Sequence, residues 1–245
     1  MFHVKHARSG RLSFSGPDPT VRRVTAVTDP QHLAATRAGY DLIAEQYTQK
    51  FRTELDDAPL DRALLAGFAE MVRRDHPDPR VLEVGSGPGG IAAHLHRLGL
   101  TIAGIDLSPV MVEIARREHT GISFEIGEMG ALEVADGSLA GVVAWYSLIH
   151  VPAARRLRVI GEFHRVLRPG GYALLAFQVG DETLHFDEAF GHRLSLDFHR
   201  LQPDAIIALL EEAGLELTAR LVRAPEPNTA ATKVPQSFLI ARKPF

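Results

Sequence analysis

The chain has 245 residues, of which 27 are Lys or Arg and 30 are Asp or Glu, so its formal net charge is −3. This balance lacks the basic excess of proteins that bind nucleic acid phosphates, and we therefore expect no nucleic acid partner. The chain contains no cysteine, which excludes disulfides, thiolate nucleophiles and cysteine-ligated zinc or iron–sulfur sites.

The hydrophobic content is that of an ordinary globular protein. Hydrophobic residues make up 45% of the chain and charged residues 23%, which is not typical of disordered or fibrous proteins. No apolar run approaches the roughly 20 residues of a membrane span, and the basic N-terminus lacks the apolar core of a secretory signal. We therefore expect a cytoplasmic protein with no membrane partner.

The N-terminal segment, residues 1–29, is rich in Gly, Pro, Ser and Arg and has no hydrophobic periodicity. This composition predicts a disordered tail. Helical periodicity begins near Asp29–Pro30, and a second apolar stripe predicts a helix over 59–74 that ends at the Pro-rich stretch 76–79.

From residue 80 onward, short apolar runs alternate with helical patterns. The predicted strands cover 81–84, 101–106, 122–126, 142–146, 173–178, 215–222 and 238–242, and the predicted helices cover 90–98, 109–118, 153–167 and 204–213. This alternation indicates βαβ units and a doubly wound, mostly parallel α/β sheet. Only a Pro-rich loop separates the last two strands, so we expect them to be antiparallel neighbours.

Residues 81–90, VLEVGSGPGG, have the pattern of a strand, a glycine turn and a helix start. Glycines allow positive φ and let backbone N–H groups approach a ligand closely. Gly85, Gly87 and Gly90 also match the dinucleotide fingerprint G-x-G-x-x-G. Asp106 lies about where a ribose-binding acid belongs in that fingerprint. On these residues alone, a nicotinamide-dependent oxidoreductase stays open.

The motifs around the glycine loop distinguish between the classes of protein that share this fingerprint. The run Glu83, Gly85, Gly87 and Gly89 resembles motif I of class I S-adenosylmethionine-dependent methyltransferases, an acid followed by G-x-G-x-G. The later segments GIDLSPVM, GEM with DGSL, SLIHVP and VLRPGG resemble further motifs of that family in the same order. The resemblance covers about residues 35–245.

This resemblance implies a seven-stranded Rossmann-like sheet of order 3-2-1-4-5-7-6 with an antiparallel last strand and N-terminal lid helices. It also implies S-adenosyl-L-methionine as the cofactor. Its implied cofactor-binding residues are Tyr40, Glu83, Gly85, Ser86, Gly87, Gly89, Asp106, Leu107, Met111, Glu128, Met129 and Tyr146.

Four of these residues have specific implied roles. Asp106 would accept both ribose hydroxyls; the alternative is a cap on the next helix, for which Ser108 is better suited. Glu83 would orient the glycine loop or approach the methionine amino group, and the alternative is an interaction with a helix dipole. Glu128 would reach the adenine edge, with Met129 packed on the adenine ring.

The N-terminal helix contributes two tyrosines. Tyr40 and Tyr47 lie in a stretch that resembles the lid helix of small-molecule methyltransferases. Such a tyrosine can hydrogen-bond the cofactor carboxylate while its ring covers the site, and Tyr47 is the candidate on the substrate side. The alternative is that both rings simply pack the helix on the sheet.

Histidines supply the candidate catalytic and substrate residues. His150 follows strand four and would lie beside the transferred methyl group, where it acts as a base or is an ordinary loop histidine. Residues 180–202 contain His185, His192 and His199 among several acids. Their spacing does not match a metal motif, so no metal is expected.

We interpret residues 180–202 as a lid that closes over the cofactor and forms the acceptor pocket. His199 is the favoured histidine for holding or deprotonating the acceptor, because Asp197 and Arg200 are positioned in sequence to orient it. Arginines 155, 156 and 158 are interpreted as a solvated helix face.

The expected organisation is one domain over 30–245, with N-terminal helices (30–79), a cofactor-binding core (80–179), the lid (180–202) and a C-terminal helix with an antiparallel strand pair (203–245). The expected activity is transfer of a methyl group to an O, N or C atom of a small molecule by in-line displacement. Two alternatives stay open: a nicotinamide-dependent oxidoreductase, and a protein that binds S-adenosylmethionine without methylating.

Overall fold

The computed structural model describes residues 31–225 and 234–245, so the predicted tail at 1–29 lies outside the described residues. The helices are α1 (Gln31–Phe51), α2 (Pro59–Asp75), α3 (Gly90–Arg97), α4 (Pro109–Glu118), α5 (Ala153–Val166) and α6 (Pro203–Glu212), with a 3-10 turn at Leu148–His150. The strands are β1 (Arg80–Val84), β2 (Thr101–Asp106), β3 (Ser123–Ile126), β4 (Leu139–Trp145), β5 (Leu167–Gln178), β6 (Thr183–Ala189), β7 (His192–His199), β8 (Glu216–Arg223) and β9 (Gln236–Arg242). Over these two ranges, no helix is both long and apolar enough to cross a bilayer.

The main sheet has seven strands in the order β3-β2-β1-β4-β5-β9-β8. Strands β1 to β5 pair in parallel, and β9 is antiparallel to both of its neighbours. When the separate β6–β7 hairpin is set aside, this is the order 3-2-1-4-5-7-6. The predicted fold, including the antiparallel final strand, is therefore confirmed.

The central strands are buried on both faces because helices cover each side of the sheet. In β4, Val142 and Ala144 belong to the core cluster that contains residues of α5 and α6. Val143 and Trp145 point to the opposite cluster, which contains residues of α2 and α3. This two-sided burial explains why the central strands appear in the sequence as continuous apolar runs.

The segment 180–202 contains an antiparallel β-hairpin of β6 and β7 that no strand prediction covers. Its signal is present in the sequence, because Leu194, Leu196 and Phe198 alternate with polar residues along β7. The connecting residues Phe190 and Gly191 have φ values of 52° and 78°, as a two-residue type I′ turn requires. The lid interpretation of this segment rests on its histidines and acids and does not use this alternation.

Helix α1 lies between α4 and the hairpin. Its Ala44 packs against Met111 and Ile114 of α4. On its other side, Gly39 faces Leu196 of β7 so closely that a Cβ on Gly39 would lie 2.7 Å from the Leu196 Cδ2 atom. The absence of a side chain at Gly39 therefore allows α1 and β7 to approach each other.

Candidate active site

A cleft opens at the carboxyl ends of the central parallel strands, where open α/β sheets bind ligands. It holds about 640 Å³ of empty space, including the part open to solvent. Ten of the residues predicted for the site line this cleft: Tyr40, Tyr47, Gly85, Gly87, Asp106, Leu107, Met111, Met129, Tyr146 and His150. The structure thus brings together residues from α1, the glycine loop after β1, β2, α4 and the segments after β3 and β4.

The glycine loop after β1 is shaped by close backbone packing. Gly85 has a φ of 69°, and a Cβ at this position would lie 2.4 Å from the Cβ atom of Ser147. The hydroxyl of Ser147 donates a 2.6 Å hydrogen bond to the Val84 carbonyl. Gly87 has a φ of 51°, but a Cβ there would meet nothing within 4 Å. The loop is therefore tightly packed against Ser147 at Gly85, whereas at Gly87 there is open space for a ligand.

Ser86 and Gly89 do not line the cleft but support the loop from below. The backbone N–H of Ser86 donates to the Ile105 carbonyl at 2.9 Å, which ties the loop to β2. Gly89 caps α3 with a φ of 85°, and a Cβ on it would lie 2.6 Å from the Phe124 ring. Their predicted direct cofactor contacts remain predictions.

Asp106 ends β2 and faces the cleft. Its Oδ2 atom accepts a 2.8 Å hydrogen bond from the Gly87 N–H, and its Oδ1 atom accepts one of 2.8 Å from the Ser108 N–H. Burial raises the pKa of this carboxyl group. The Ser108 hydroxyl caps α4 by accepting from the Met111 N–H at 3.1 Å, as predicted. A carboxylate has about four acceptor sites, so Asp106 can hold the loop and still accept hydroxyl protons from a ligand.

Glu83 lies beneath the glycine loop and is only 1% exposed. Its carboxylate accepts from the Ala92 N–H in the first turn of α3, which matches the helix-terminus alternative. Its Oε2 atom is buried and has no hydrogen-bond partner within the described ranges 31–225 and 234–245. Burial, with a smaller contribution from the negative charge of Asp106, raises the pKa of Glu83 well above its usual range. A buried acceptor of this kind suits a cationic ligand.

The segment after β3 places its two predicted residues differently. Met129 lines the cleft. The Glu128 carboxylate instead accepts a 3.2 Å hydrogen bond from Arg155 of α5. Arg158 likewise donates to the Gly130 carbonyl at 3.1 Å, so these arginines bind the adjacent loop and do not form the purely solvated face expected from the sequence.

His150 and Tyr40 are in direct contact at the cleft wall. The Tyr40 hydroxyl lies 2.8 Å from the His150 Nε2 atom, and the His150 Nδ1 atom lies 3.0 Å from the backbone carbonyl of Asp197 in β7. The Tyr47 ring stands edge-on to Tyr40 with centroids 5.7 Å apart. Burial lowers the pKa of His150 to about 4, so its ring is neutral near pH 7.

The hairpin histidines do not line the cleft, and their partners differ from those expected. His199 pairs with the Thr183 hydroxyl at 2.8 Å, while Asp197 binds His185 at 2.7 Å. The register explains both contacts, because His199 faces Thr183 and His185 faces Asp197 across the hairpin. Positioning of His199 by Asp197 and Arg200 is therefore wrong for this structure.

The other two partners complete this picture. Arg200 binds Glu182 at 3.2 Å. The third histidine, His192, lies 3.2 Å from the amide nitrogen of Gln46 in α1. Catalytic and substrate roles for His185, His192 and His199 remain predictions. Within residues 31–225 and 234–245, no group of three His, Asp or Glu side chains is arranged to hold a metal ion.

Six cleft residues were not predicted for the site: Thr36, Arg37, Ser108, Gly127, Trp145 and Ser147. Arg37 donates to the Leu107 carbonyl at 3.1 Å and so fixes α1 over the end of β2. The signal for Thr36 and Arg37 was their helical spacing from Tyr40, which places all three on one face of α1. Trp145 belongs to a core cluster and is only 8% exposed, and it also lines the cleft.

Comparison with known proteins agrees with this geometry. Residues 81–171 match the family model of a methyltransferase domain. The chain is 36% identical over 100 residues to a demethylmenaquinone methyltransferase of Chlorobaculum parvum, and the match covers 40% of each protein. The domain match and the named relative support the class I S-adenosylmethionine-dependent methyltransferase family for this chain. The predicted family and its cofactor, S-adenosyl-L-methionine, are thereby confirmed.

Solved structures share the fold of this chain. The Burkholderia thailandensis 1,6-didemethyltoxoflavin-N1-methyltransferase, solved with bound 1,6-didemethyltoxoflavin and S-adenosylhomocysteine, has a TM-score of 0.62 at 16% identity. That match covers 96% of this chain and 100% of the other. The cyclase SpnF has a TM-score of 0.63 at 20% identity, covering 90% and 99%. By contrast, the chain spans only 40% of the length of its Chlorobaculum relative.

Proposed function

We propose that this protein transfers a methyl group from S-adenosylmethionine to an O, N or C atom of a small molecule by in-line displacement. The observation that carries the proposal is the cofactor wall, defined as the glycine loop, Glu83 and Asp106, which lies inside the segment matched by the methyltransferase family model. We also propose that residues 30–245 act as one domain, in the cytoplasm and without a nucleic acid partner. The composition supports these last points.

The residues present fit the cofactor. Asp106 has unused acceptor sites for ribose hydroxyls, Gly87 leaves open space for close backbone approach, and Met129 offers an apolar surface for a base. The buried, unsatisfied Oε2 atom of Glu83 suits the positive charge of a methionine amino group. When bound, S-adenosylmethionine supplies an electrophilic methyl group on a sulfonium. The protein then contributes alignment of the acceptor and exclusion of water.

The acceptor wall, defined as Tyr40, Tyr47, Trp145, Tyr146 and His150, consists of rings with polar tips. Two charged side chains line the cleft, both on the cofactor side: Asp106 ends β2, and Arg37 of α1 donates to the Leu107 carbonyl just after that strand. We infer that the acceptor is a flat ring compound, because aromatic walls contact flat rings over a large area without desolvating charge. The names of the demethylmenaquinone and didemethyltoxoflavin enzymes support a small-molecule acceptor.

A second candidate is binding of the cofactor without methyl transfer. The structural likeness to SpnF favours this second candidate. SpnF is named a cyclase, so the same architecture carries a different reaction in that protein. The two candidates share the cofactor wall and differ only in the product. Product analysis therefore separates them.

The chain provides its own reporter for the binding experiment, because Trp145 is its single tryptophan and lines the cleft. We expect S-adenosylhomocysteine to change the fluorescence of Trp145 and to bind by calorimetry, whereas NAD should do neither. A Trp145→Phe variant should bind without the fluorescence change. Tight binding of NAD with no response to S-adenosylmethionine or S-adenosylhomocysteine would overturn the proposal.

The transfer step is tested separately. The protein is incubated with S-adenosylmethionine carrying a labelled methyl group and a pool of cell metabolites. We expect the label in a ring-containing product heavier than its precursor by one methylene unit. Cofactor binding with conversion of a substrate but no uptake of label would favour the non-methylating candidate.

A further inference from the structure

We propose that His150 is a positioning residue that couples the β6–β7 hairpin to Tyr40, so that ligand binding in the cleft and docking of the hairpin stabilise each other. The proposal rests on the proposed function only in its choice of S-adenosylhomocysteine as the ligand. It gives His150 a role different from the base expected from the sequence.

Hydrogen-bond chemistry assigns the proton at each ring nitrogen. The Asp197 carbonyl can only accept, so the His150 Nδ1 atom, 3.0 Å away, carries the proton. In a neutral imidazole the Nε2 atom is then an acceptor, and the Tyr40 hydroxyl 2.8 Å away donates to it. Both ring nitrogens are thus occupied, one by β7 and the other by α1.

This arrangement changes what each side chain can offer the cleft. His150 has no free lone pair for an acceptor proton unless its bond to Tyr40 breaks. Tyr40 gives its own proton to His150, so it presents only lone pairs to a ligand in the cleft. Those lone pairs suit an N–H or O–H group, and they do not suit the cofactor carboxylate to which the family resemblance assigned Tyr40.

Packing around His150 joins the same two elements. The His150 ring stands edge-on to Phe198 of β7 with centroids 4.7 Å apart, and edge-on to Tyr40 at 5.2 Å. One residue before Tyr40, Gly39 contacts Leu196 of β7, which is only 2% exposed. A shift of β7 therefore moves the His150 ring, and a shift of the ring moves the Tyr40 hydroxyl.

The hairpin depends on these contacts for its order. Within residues 31–225 and 234–245, it pairs with no strand of the main sheet, and an isolated two-stranded hairpin is only marginally stable in water. Most residues of β6 are exposed. Segments of this kind open locally at low free energy, so a ligand that fixes Tyr40 and His150 should suppress the opening of β7.

Two substitutions each preserve one hydrogen bond of His150 and remove the other. In His150→Asn, the side-chain amide N–H takes the place of Nδ1–H and can still donate to the Asp197 carbonyl, but it does not reach Tyr40. In His150→Gln, the longer side chain can present its carbonyl oxygen to the Tyr40 hydroxyl and loses the bond to Asp197. His185→Asn is the matched control, because the hydrogen bond between His185 and Asp197 lies within the hairpin.

The measurements are hydrogen exchange of the full chain, with and without S-adenosylhomocysteine, and calorimetric affinity for the same compound. In the wild type, we expect the ligand to slow exchange in 192–199 by about tenfold or more. In His150→Asn, the ligand-free hairpin should stay protected while the affinity falls by about tenfold. In His150→Gln, affinity should be kept within about threefold while the ligand no longer slows hairpin exchange. Tyr40→Phe keeps the ring and should behave like His150→Asn.

The outcomes separate the two proposals. If S-adenosylhomocysteine does not bind the wild type, the proposed function is wrong. The ligand-free comparison then still tests the coupling, because His150→Gln must speed exchange in 192–199 and His185→Asn must not affect residues beyond the hairpin. If the ligand binds and slows hairpin exchange equally in the wild type and both His150 variants, the coupling is absent.

Discussion

The cofactor wall and the acceptor wall of the cleft are built in different ways. Residues 83–111 supply nearly all of the cofactor wall, and backbone geometry at Gly85, Gly87 and the end of β2 defines its shape. The acceptor wall joins side chains from α1 and the segment after β4, and Asp197 of β7 supports it from behind. One wall is therefore local in sequence, whereas the other depends on contacts between distant segments.

This difference has a functional consequence. A cofactor wall fixed by backbone conformation tolerates few changes, because each glycine occupies a conformation or a space that other residues cannot. The acceptor wall consists mostly of side chains on α1 and after β4, and such side chains can change without disturbing the sheet. We therefore expect substitutions of Gly85 and Asp106, which hold the shape and the hydrogen bonds of the cofactor wall, to have larger effects than substitutions that disturb the acceptor wall.

Gly85→Ala should have the largest effect. The substitution combines a left-handed φ of 69° with a Cβ placed 2.4 Å from the Cβ atom of Ser147. Backbone strain and overpacking together should lower the free energy of unfolding by about 3 kcal/mol or more. The matched change Gly87→Ala has a similar φ but open space, so it should cost only about 1 kcal/mol. Urea denaturation of both variants measures the difference, and equal losses would contradict the packing argument.

Asp106→Ala comes next and affects binding directly. Loss of the hydrogen bonds that ribose hydroxyls donate to this carboxylate should weaken affinity for S-adenosylhomocysteine by about 1.5–3 kcal/mol. The variant also loses the bonds to the Gly87 and Ser108 N–H groups, so its melting temperature should fall. Asp204→Ala, which removes an exposed ion pair with Arg220, serves as the control in calorimetry. An unchanged dissociation constant for Asp106→Ala would show that the ribose is held elsewhere.

Gly39→Ala tests the packing against β7 of helix α1, which carries Tyr40 and Tyr47 of the acceptor wall. Helical alanine is usually more stable than glycine by about 0.5–1 kcal/mol, and Gly67→Ala in α2 should show this gain because a Cβ there meets nothing within 4 Å. At Gly39 the clash of the new Cβ with Leu196 should outweigh this gain and lower the free energy of unfolding by about 1 kcal/mol. Hydrogen exchange should also become faster in β7. A stabilised Gly39→Ala with an unchanged hairpin would mean that α1 and β7 are not tightly packed.

Glu83→Gln should have the smallest effect on stability, and unlike the substitutions above it should stabilise the protein. Because burial raises the pKa of Glu83 in the folded state, its stabilising contribution is complete below the unfolded pKa and is lost as pH rises through the folded pKa. The neutral amide avoids this loss. The free energy of unfolding of the variant should therefore exceed that of the wild type by about 1 kcal/mol near pH 7, and by less as pH falls toward 4.5. Thermal denaturation across this range measures the difference. A gap that does not change with pH would mean that Glu83 does not titrate there.

The same contrast explains what the sequence predicted well. The order of the sheet follows from alternating strands and helices, and the glycine loop follows from local turn chemistry, so both were predictable from short segments. The contact between Asp106 and the Gly87 N–H lies within these motifs. The hairpin was within reach as well, through the alternation of Leu194, Leu196 and Phe198 and the glycine at its turn.

The partners of polar side chains were not predictable in the same way. His150 meets the carbonyl of Asp197 across 47 residues of sequence, and Tyr40 meets His150 across 110. Spacing suggested that Asp197 would orient His199, but in the cross-strand register Asp197 faces His185 and binds it instead. Such pairings depend on how segments meet in three dimensions, and one sequence contains no signal for them.

The position of β9 has a consequence for synthesis of the chain. Strand β5 ends at Gln178, but β9, which pairs along one of its edges, begins only at Gln236. At about 5–20 residues per second, the ribosome takes roughly 3–12 seconds to make the intervening segment. During that interval an apolar strand edge of the nascent chain has no partner, and unpaired edges of this kind promote association between chains. Slower translation between β5 and β9 should therefore increase aggregation of the newly made protein.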